Sequence, residues 1–289
     1  MVKTPRSPSG PGEPVPEPLR AGATVLEVLD EGGANRRIRV RVEGWPGFAA
    51  GQFVMIGAGP VMAAPRTDPL LPRPMAIYRE IDGSGSPDLE ILFKVGGRGT
   101  ALLSEARAGD VVSLVGPLGT PFPGAIPGEQ AILVGGGTGV ASIYQLARER
   151  TRVRDGSVSV LFGARSAGDL MGVDDFEALD AVAVSIATED GSRGSSGLVT
   201  DLLAAALADG IDSSRARVYA CGPVGMMRRA AEVAKTHGIG CVVSLENHMA
   251  CGFGVCLGCA APLSAGGFGL VCREGPVFDA EAVAWEGLP

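Results

Sequence analysis

The chain has 289 residues, of which 46% are hydrophobic, and this is enough for two or three packed domains. Its net charge of −7 argues against a nucleic-acid partner. The sequence contains no apolar run of the ~18 residues that a membrane span needs, and its N-terminus lacks the apolar core of a signal peptide. We therefore expect a cytoplasmic protein without membrane contacts, in which the six cysteines stay reduced.

The first half of the chain has the pattern of a tail followed by short strands. Residues 1–19 carry prolines at six positions, and we expect them to form a disordered, proline-rich tail. In the unit 20–122, short segments rich in apolar and β-branched residues are separated by turn residues, which predicts a small antiparallel barrel. The predicted strands are 24–29, 36–43, 52–56, 73–78, 89–94 and 110–115, and a short helix is predicted at 100–106.

The period of the pattern changes in the next unit, 123–245. Apolar strand-like segments alternate there with helical segments, which predicts a doubly wound parallel sheet. The predicted strands are 131–134, 157–162, 181–188, 217–220 and 242–245, and the predicted helices cover about 139–150, 197–208 and 224–236. The remaining residues, 246–289, are expected to form a small third unit.

Four cysteines of this third unit, Cys251, Cys256, Cys259 and Cys272, have the spacing C-x4-C-x2-C-x12-C. The first two intervals, followed by a fourth cysteine further along, are typical of the thiolate ligands of a plant-type [2Fe–2S] cluster. A structural zinc site or four free core thiols are the alternatives. Zinc prefers about two to four residues between paired cysteines, so three ligands in one loop suit it less well. The spacing therefore favours an iron–sulfur cluster.

Two features of the predicted barrel suit a flavin. Arg73 begins the predicted strand 73–78, and an arginine fork matches the pyrophosphate of FAD; an ordinary surface arginine before a proline is the alternative. Gly99 and Thr100 lie where the predicted short helix begins, a place suited to a phosphate. A plain strand-to-helix turn would look the same.

Two segments of the predicted parallel sheet suit a dinucleotide. Gly135, Gly136, Gly137, Thr138 and Gly139 follow the buried strand 131–134 and precede a helix. Such a turn lets a pyrophosphate approach backbone N–H groups, although a tight turn without ligand is the alternative. Cys221, Gly222 and Pro223 follow the strand 217–220. At this position Cys221 could flank a nicotinamide ring, and a small buried thiol without a ligand is the alternative.

The order of these three signals resembles the ferredoxin–NADP reductase superfamily. More closely, the chain resembles the electron transfer subunits of B-type dihydroorotate dehydrogenases. The residues that carry the resemblance are 73–77, 97–100, 116–119, 134–140, 219–223, 246–259 and 271–278. The cluster loop and the ending Cys272-Arg273-Glu274-Gly275-Pro276-Val277-Phe278 are the specific parts.

The resemblance implies an electron relay in de novo pyrimidine (UMP) biosynthesis. A partner subunit with FMN would oxidise dihydroorotate, and electrons would pass through [2Fe–2S] and FAD to NAD⁺, within a heterotetramer of two subunits of each kind. It implies that FAD is held by Arg73, Pro74, Met75, Ala76, Leu92, Phe93, Lys94, Gly99 and Thr100. The same build with another oxidoreductase partner is the alternative, and a non-enzymatic redox sensor is a more distant one.

Two positions bear on how closely the chain follows this family. Ala76 stands where the family usually has serine or threonine, which removes one hydrogen bond to the flavin. Arg165 and Ser166, after the second strand of the parallel sheet, could hold a 2′-phosphate. Because the close family mostly uses NAD, we expect NAD rather than NADP.

Overall fold

The computed structural model describes residues 16–61, 68–82, 86–152, 156–208 and 211–288. The predicted disorder of the tail lies outside the described residues, except for 16–19. None of the helices among the described residues combines the length and apolarity needed to cross a membrane.

The first unit is a seven-stranded antiparallel sheet that curls around its own apolar core. Its strands are β1 (Leu19–Asp30), β2 (Asn35–Val42), β3 (Phe53–Ile56), β4 (Arg73–Ala76), β5 (Arg79–Ile81), β6 (Asp88–Lys94) and β7 (Val111–Leu118), and helix α1 (Arg98–Ser104) follows β6. The strand order is β4-β3-β7-β1-β2-β6-β5. On β2, Ile38, Val40 and Val42 are fully buried, while the arginines between them pair with acidic residues of neighbouring strands. The period-two pattern of β2 therefore sets its inner face.

The second unit is a parallel sheet flanked by helices. Its parallel strands are β8 (Glu129–Gly136), β9 (Gly156–Ala164), β10 (Val182–Thr188), β11 (Ser195–Ser196), β12 (Ala216–Cys221) and β13 (Gly240–Ser244). The helices are α2 (Val140–Arg152), α3 (Val173–Glu177), α4 (Val199–Ala208) and α5 (Val224–Thr236). The strand order β11-β10-β9-β8-β12-β13 reverses direction between β8 and β12. Ligands of doubly wound sheets bind at the carboxyl ends of the strands at such a switch point.

The C-terminal segment is tied to both other units. It contains the hairpin β14 (Ala260–Pro262) and β15 (Phe268–Leu270), and a last strand β16 (Val277–Asp279) that adds antiparallel to β13. Gly252 packs on the barrel, since a Cβ there would lie 2.3 Å from Met55. The backbone N–H of Thr120 donates to the Gly275 carbonyl at 2.7 Å. The cysteine loop is therefore held against the barrel by packing and hydrogen bonds.

The predicted architecture, an antiparallel barrel, a parallel sheet and a small C-terminal unit, is confirmed. The domain limits stay predictions, and the second sheet includes β16 from beyond the predicted limit at 245. The predicted strand 73–78 is wrong in extent: it ends at Ala76, and Tyr78 turns into the interface with the second unit, where it is fully buried. Residue 19, assigned to the tail, begins β1 and pairs with Gly116 of β7.

Candidate functional site: a cavity where three units meet

The glycine turn and the Cys221 segment meet at the switch point. Gly135 of β8 is the register partner of Cys221 of β12. A Cβ at Gly139 would lie 2.2 Å from the Cys221 carbonyl oxygen, so only glycine allows this approach. Gly137 has φ of +55° and no heavy atom within 4 Å of the place where its Cβ would be. That open, left-handed position leaves the backbone accessible to a ligand.

Cys221 is a buried neutral thiol. Its Sγ lies 3.4 Å from the Ser244 carbonyl oxygen, to which it donates. Burial, and secondarily the charge of Glu246, raise the pKa of the Cys221 thiol to about 12. All six cysteines lie within the described residues, and none of them forms a disulfide, including Cys221 and Cys241. Cys221 therefore packs at the carboxyl end of the parallel sheet, next to the glycine turn, and its sulfur stays protonated at neutral pH. We call this end of the sheet the nucleotide edge.

A cavity of about 920 Å³ lies where the barrel, the parallel sheet and the C-terminal segment meet. Among the residues predicted to hold the flavin, the ones that line it are Arg73, Pro74, Met75, Ala76, Leu92, Phe93 and Lys94. The parallel sheet contributes Thr138, Ser142 and Ser244, and the C-terminal segment contributes Glu246, His248, Met249, Ala250, Gly258 and Pro276. This volume is within the range of small-molecule and cofactor sites, and its walls are mostly apolar.

Arg73 and Gly99 form one contact beside this cavity. Arg73 Nη1 donates to the Leu71 carbonyl oxygen at 2.7 Å, which holds the guanidinium in place. A Cβ at Gly99 would lie 2.6 Å from Arg73 Nη2 and 2.8 Å from Nε, so glycine is required for the guanidinium to lie on helix α1. The sequence predicts a phosphate-binding role for each of these residues independently, and the structure brings them into contact.

Two predicted flavin residues have protein partners of their own. Thr100 does not line the cavity: its Oγ1 accepts hydrogen bonds from the Gly96 and Gly97 N–H groups, at 3.0 and 3.2 Å, and so caps α1. Lys94 lines the cavity and donates from Nζ to Asp169 Oδ1 at 2.7 Å. Lys94 therefore connects the barrel to the second unit.

Sequence reasoning missed the polar wall that follows β13. Glu246 and His248 face the cavity, and desolvation by the surrounding protein raises the pKa of the Glu246 carboxyl. No sequence motif marks Glu246 as a site residue. The signal that could have found it is its position just beyond the carboxyl end of a parallel strand, where ligands bind.

The four cysteines lie in two pairs. The Cys256 N–H donates to Cys251 Sγ at 3.5 Å, and the Cys272 N–H donates to Cys259 Sγ at 3.4 Å. Across the described residues, no three His, Cys, Asp or Glu side chains are close enough together to hold a single metal ion. A cluster of two irons, each with two thiolates, fits such pairs.

The backbone of the loop supports thiolates. Gly252 and Gly254 have φ of +84° and +86°, which turns successive N–H groups toward the sulfurs. Burial acts to raise the pKa of the Cys251 thiol, but N–H groups of the loop, that of Cys256 foremost, lower it to about 6. Thiolate is the form that binds iron, so the loop favours the metal-binding form of Cys251, whereas burial, and secondarily Cys259, raise the pKa of the Cys272 thiol to about 12.

Comparison with known proteins agrees with this geometry. Residues 246–284 match the family described as the iron–sulfur cluster binding domain of dihydroorotate dehydrogenase B. Residues 133–232 match the oxidoreductase NAD-binding domain.

Two curated relatives carry the name "dihydroorotate dehydrogenase B (NAD(+)), electron transfer subunit", the second qualified as probable. The chain is 38% identical to the one from Bacillus caldolyticus, over 81% of this chain and 86% of that relative. It is 36% identical to the one from Methanopyrus kandleri, over 89% of this chain and 88% of that relative.

Solved structures share the fold. The NADH-dependent reduced ferredoxin–NADP oxidoreductase has a TM-score of 0.75 at 24% identity and covers 96% of this chain and 92% of its own. The ferredoxin reductase of carbazole 1,9a-dioxygenase has a TM-score of 0.66 at 21% identity, over 78% of this chain and 68% of its own. Taken with the sequence relatives, these findings show that the chain belongs to the family of electron transfer subunits of dihydroorotate dehydrogenase B (NAD(+)).

Proposed function

We propose that this chain carries electrons from an FMN-containing subunit that oxidises dihydroorotate, through [2Fe–2S] and FAD, to NAD⁺. The observation that carries the proposal is the shared cavity. Its walls include predicted flavin residues of the barrel, Thr138 of the nucleotide turn, and Ala250 and Gly258 of the cluster loop. A cofactor bound there would be next to both of the other sites.

In this proposal the cofactors carry out the redox chemistry, and the side chains and backbone of the protein hold the cofactors in position. When bound, the cluster supplies one-electron transfer and FAD supplies conversion between single electrons and hydride. Arg73, lying on Gly99, is proposed to hold the FAD pyrophosphate, and the segment Arg73–Ala76 of β4 to line one side of the ring system. The turn at Gly137 is proposed to hold the pyrophosphate of NAD.

The preference for NAD over NADP has a physical basis near Arg165. Asp169 lies beside it, with Oδ1 3.7 Å from Arg165 Nη2, and accepts from Ser166 Oγ at 3.2 Å. The hydrogen bond from Lys94 lowers the pKa of the Asp169 carboxyl, so it is ionised at neutral pH. A carboxylate here disfavours a 2′-phosphate by like-charge repulsion, which supports NAD.

An exposed apolar surface surrounds the cluster loop. Phe253, Val255 and Leu257 are 54%, 74% and 61% exposed. A second groove of about 960 Å³ adjoins them and is lined by Leu70 and Cys251, among others. Contiguous exposed apolar side chains of this kind mark interaction sites. We propose that the FMN subunit docks on this surface, in a heterotetramer with two copies of each chain.

The proposed compartment is the cytoplasm. The cluster needs four reduced thiols, and the pair at Cys251 and Cys256 is partly open to solvent. An oxidising compartment favours disulfides at such exposed pairs. The proposal of a reducing compartment rests on this requirement for thiolates.

Reconstitution with a dihydroorotate-oxidising FMN subunit tests the function. We expect the mixture to convert dihydroorotate and NAD⁺ to orotate, NADH and a proton, with orotate and NADH formed in equal amounts. Val255→Asp should raise the partner concentration needed for half-maximal rate by roughly tenfold, because it places a charge in the apolar surface. Orotate and NADH are measured by absorbance.

The matched control is Leu198→Asp, at an apolar side chain that is 53% exposed on the second unit, away from the cluster loop. It should leave the dependence on partner concentration unchanged. If no orotate-coupled NADH forms although the chain contains FAD and iron and reduces a dye with NADH, another oxidoreductase is the partner and the dihydroorotate assignment is wrong.

Ala76→Ser should tighten FAD binding. Ala76 lines the cavity on β4, and a hydroxyl there can restore a hydrogen bond to the flavin worth about 1 kcal/mol, or roughly a fivefold lower Kd. The Kd is measured by flavin fluorescence on titrating the apoprotein. Ala21→Ser, on β1 outside the cavity, should change nothing. An unchanged Kd for Ala76→Ser would show that residue 76 does not face a polar atom of the flavin.

A further inference from the structure

A cluster of charged side chains lies between the barrel and the parallel-sheet unit. The interface charge cluster comprises Glu31, Arg37, Arg39, Arg79 and Glu90 of the barrel and Asp175 of α3. Glu90 is fully buried and binds Arg37 at 2.9 Å, Arg79 at 2.7 Å and Arg39 at 2.6 Å. One buried carboxylate therefore faces three guanidinium groups. Within the barrel, Arg37 also pairs with Glu31 and Arg39 with Glu27, each at 2.6 Å, whereas the second carboxylate that Arg79 binds comes from the other unit.

Asp175 is the carboxylate that the other unit adds to this cluster. Its Oδ2 accepts hydrogen bonds from Arg37 Nη2 at 2.6 Å and from the Tyr78 hydroxyl at 2.9 Å, and its Oδ1 accepts from Arg79 Nη1 at 2.8 Å. Burial acts to raise the pKa of the Asp175 carboxyl, but Arg37 and Arg79 outweigh it and hold that pKa below its usual range. Asp175 is therefore charged at neutral pH and bonded to three barrel side chains.

The chain segment that carries Asp175 also borders the nucleotide edge. Residues 165–175 begin just beyond the carboxyl end of β9, next to the switch point. Within this segment Asp169 accepts from Lys94 of the cavity wall at 2.7 Å, and the Gly172 N–H donates to Glu31 Oε2 at 3.3 Å. The barrel thus forms hydrogen bonds with this segment at three residues, Asp169, Gly172 and Asp175.

The helix that follows the glycine turn is held by the same cluster. Tyr144 of α2 lies with its ring centroid 4.5 Å from that of Tyr78, and Arg79 Nη1 lies 3.5 Å from the Tyr144 hydroxyl. The Arg79 guanidinium lies over both rings, at 5.5 and 5.6 Å from their centroids. The two elements that border the nucleotide site, α2 and segment 165–175, are therefore bonded to one group of barrel residues.

We propose that Asp175 is a positioning residue: by binding Arg37, Arg79 and Tyr78 it fixes the nucleotide edge of the parallel sheet against the flavin cavity of the barrel. Hydride transfer needs the two rings held in a narrow range of distances and angles. The contact between cluster loop and barrel, through Gly252 and Met55, does not involve Asp175. Loss of Asp175 should therefore impair the exchange between NADH and flavin and spare the route between cluster and flavin.

Asp175→Asn tests this with two measurements on the holoprotein. The first is the rate of NADH oxidation by ferricyanide, in which one NADH reduces two ferricyanide ions and yields NAD⁺ and a proton. We expect kcat to fall about tenfold, with FAD and iron contents unchanged. The second is amide hydrogen exchange in residues 165–179 of the protein without nucleotide, which we expect to become faster. Asp174→Asn, an exposed neighbour on the same helix, is the control for both.

Two further variants keep the inference testable if Asp175→Asn fails to fold. Tyr78→Phe removes only the hydroxyl that donates to Asp175 and should lower kcat by roughly threefold, with the same faster exchange. Asp175→Glu keeps the carboxylate and should retain more activity than Asp175→Asn. Asp175 is not a positioning residue if Tyr78→Phe and a folded Asp175→Asn match Asp174→Asn in both measurements.

The inference rests on the FAD and NAD sites of the proposed function and not on the identity of the partner. NADH and ferricyanide are the only reactants, so the result does not depend on dihydroorotate. If the chain with its flavin and cluster failed to support orotate formation, the outcome for Asp175 would still stand. If Asp175→Asn changed neither kcat nor hydrogen exchange while orotate still formed, only the positioning role of Asp175 would be wrong.

Discussion

Cys256→Ser should abolish electron flow from the partner subunit while leaving NADH-to-dye activity largely intact. Cys256 is the exposed member of the pair with Cys251, and losing one of four thiolates removes the cluster from the loop. The barrel residues of the flavin cavity and the nucleotide turn lie in other segments and keep their contacts. From the cluster loop, Ala250 and Gly258 line the cavity and Cys256 does not. Iron content, orotate-coupled NADH formation and NADH–ferricyanide activity are measured on the same preparation.

Val255→Asp provides the comparison for this loop. It alters the same exposed surface without removing a thiolate, so its iron content should stay at the wild-type level. Its loss of orotate-coupled activity should be recovered at higher partner concentration, whereas that of Cys256→Ser should not. If Cys256→Ser lost both activities together with no loss of FAD or fold, the cluster would not be a separable relay and the proposed order of electron transfer would be wrong.

Arg73→Gln should weaken FAD binding by about 2 kcal/mol, which is roughly 30-fold in Kd. Hydrogen bonds to a charged group contribute more than neutral ones, and the guanidinium of Arg73 is held on Gly99 by its bond to the Leu71 carbonyl. The Kd is measured by flavin fluorescence on the apoprotein. The iron content should not change, because the cysteine loop makes no use of Arg73.

Arg107→Gln is the matched control for this charge. Arg107 is exposed just beyond the end of α1 and does not line the cavity, so its loss removes the same charge from the same unit. Long-range attraction between FAD and the barrel would be weakened equally in both variants and is screened by salt. Equal Kd values for the two variants would mean that Arg73 does not contact the pyrophosphate.

Local signals in the sequence were sufficient for the architecture and for the cluster. The spacing of the four cysteines is a property of one short stretch, so they could be predicted together as a ligand set, and the structure arranges them as the pairs Cys251–Cys256 and Cys259–Cys272. Helix α5 begins and ends where its pattern predicted, at Val224 and Thr236, because its amphipathic period is unbroken. The change from strands to alternating strands and helices likewise predicted the two larger units.

The sequence was less informative about which predicted site residues act together. Thr100 is of a residue type and at a position that predict a phosphate site. In the structure its hydroxyl instead caps α1, because it is within reach of two N–H groups of its own turn. The predicted strand 73–78 ends at Ala76, and Tyr78 instead meets Asp175 of another unit. No periodic pattern carries such information, because it is set by residues about a hundred positions away in the chain.

The sequence by itself determined the spacing of the four cysteines, the order of the three units and the residue types at each turn. Only the tertiary structure decided that Gly139 would meet the Cys221 carbonyl, that Lys94 would bind Asp169, and that Glu246 would face the cavity. The physical reason is that spacing and periodicity act within a few residues. The cavity arises from packing between separate units, and its walls come from segments far apart in the chain.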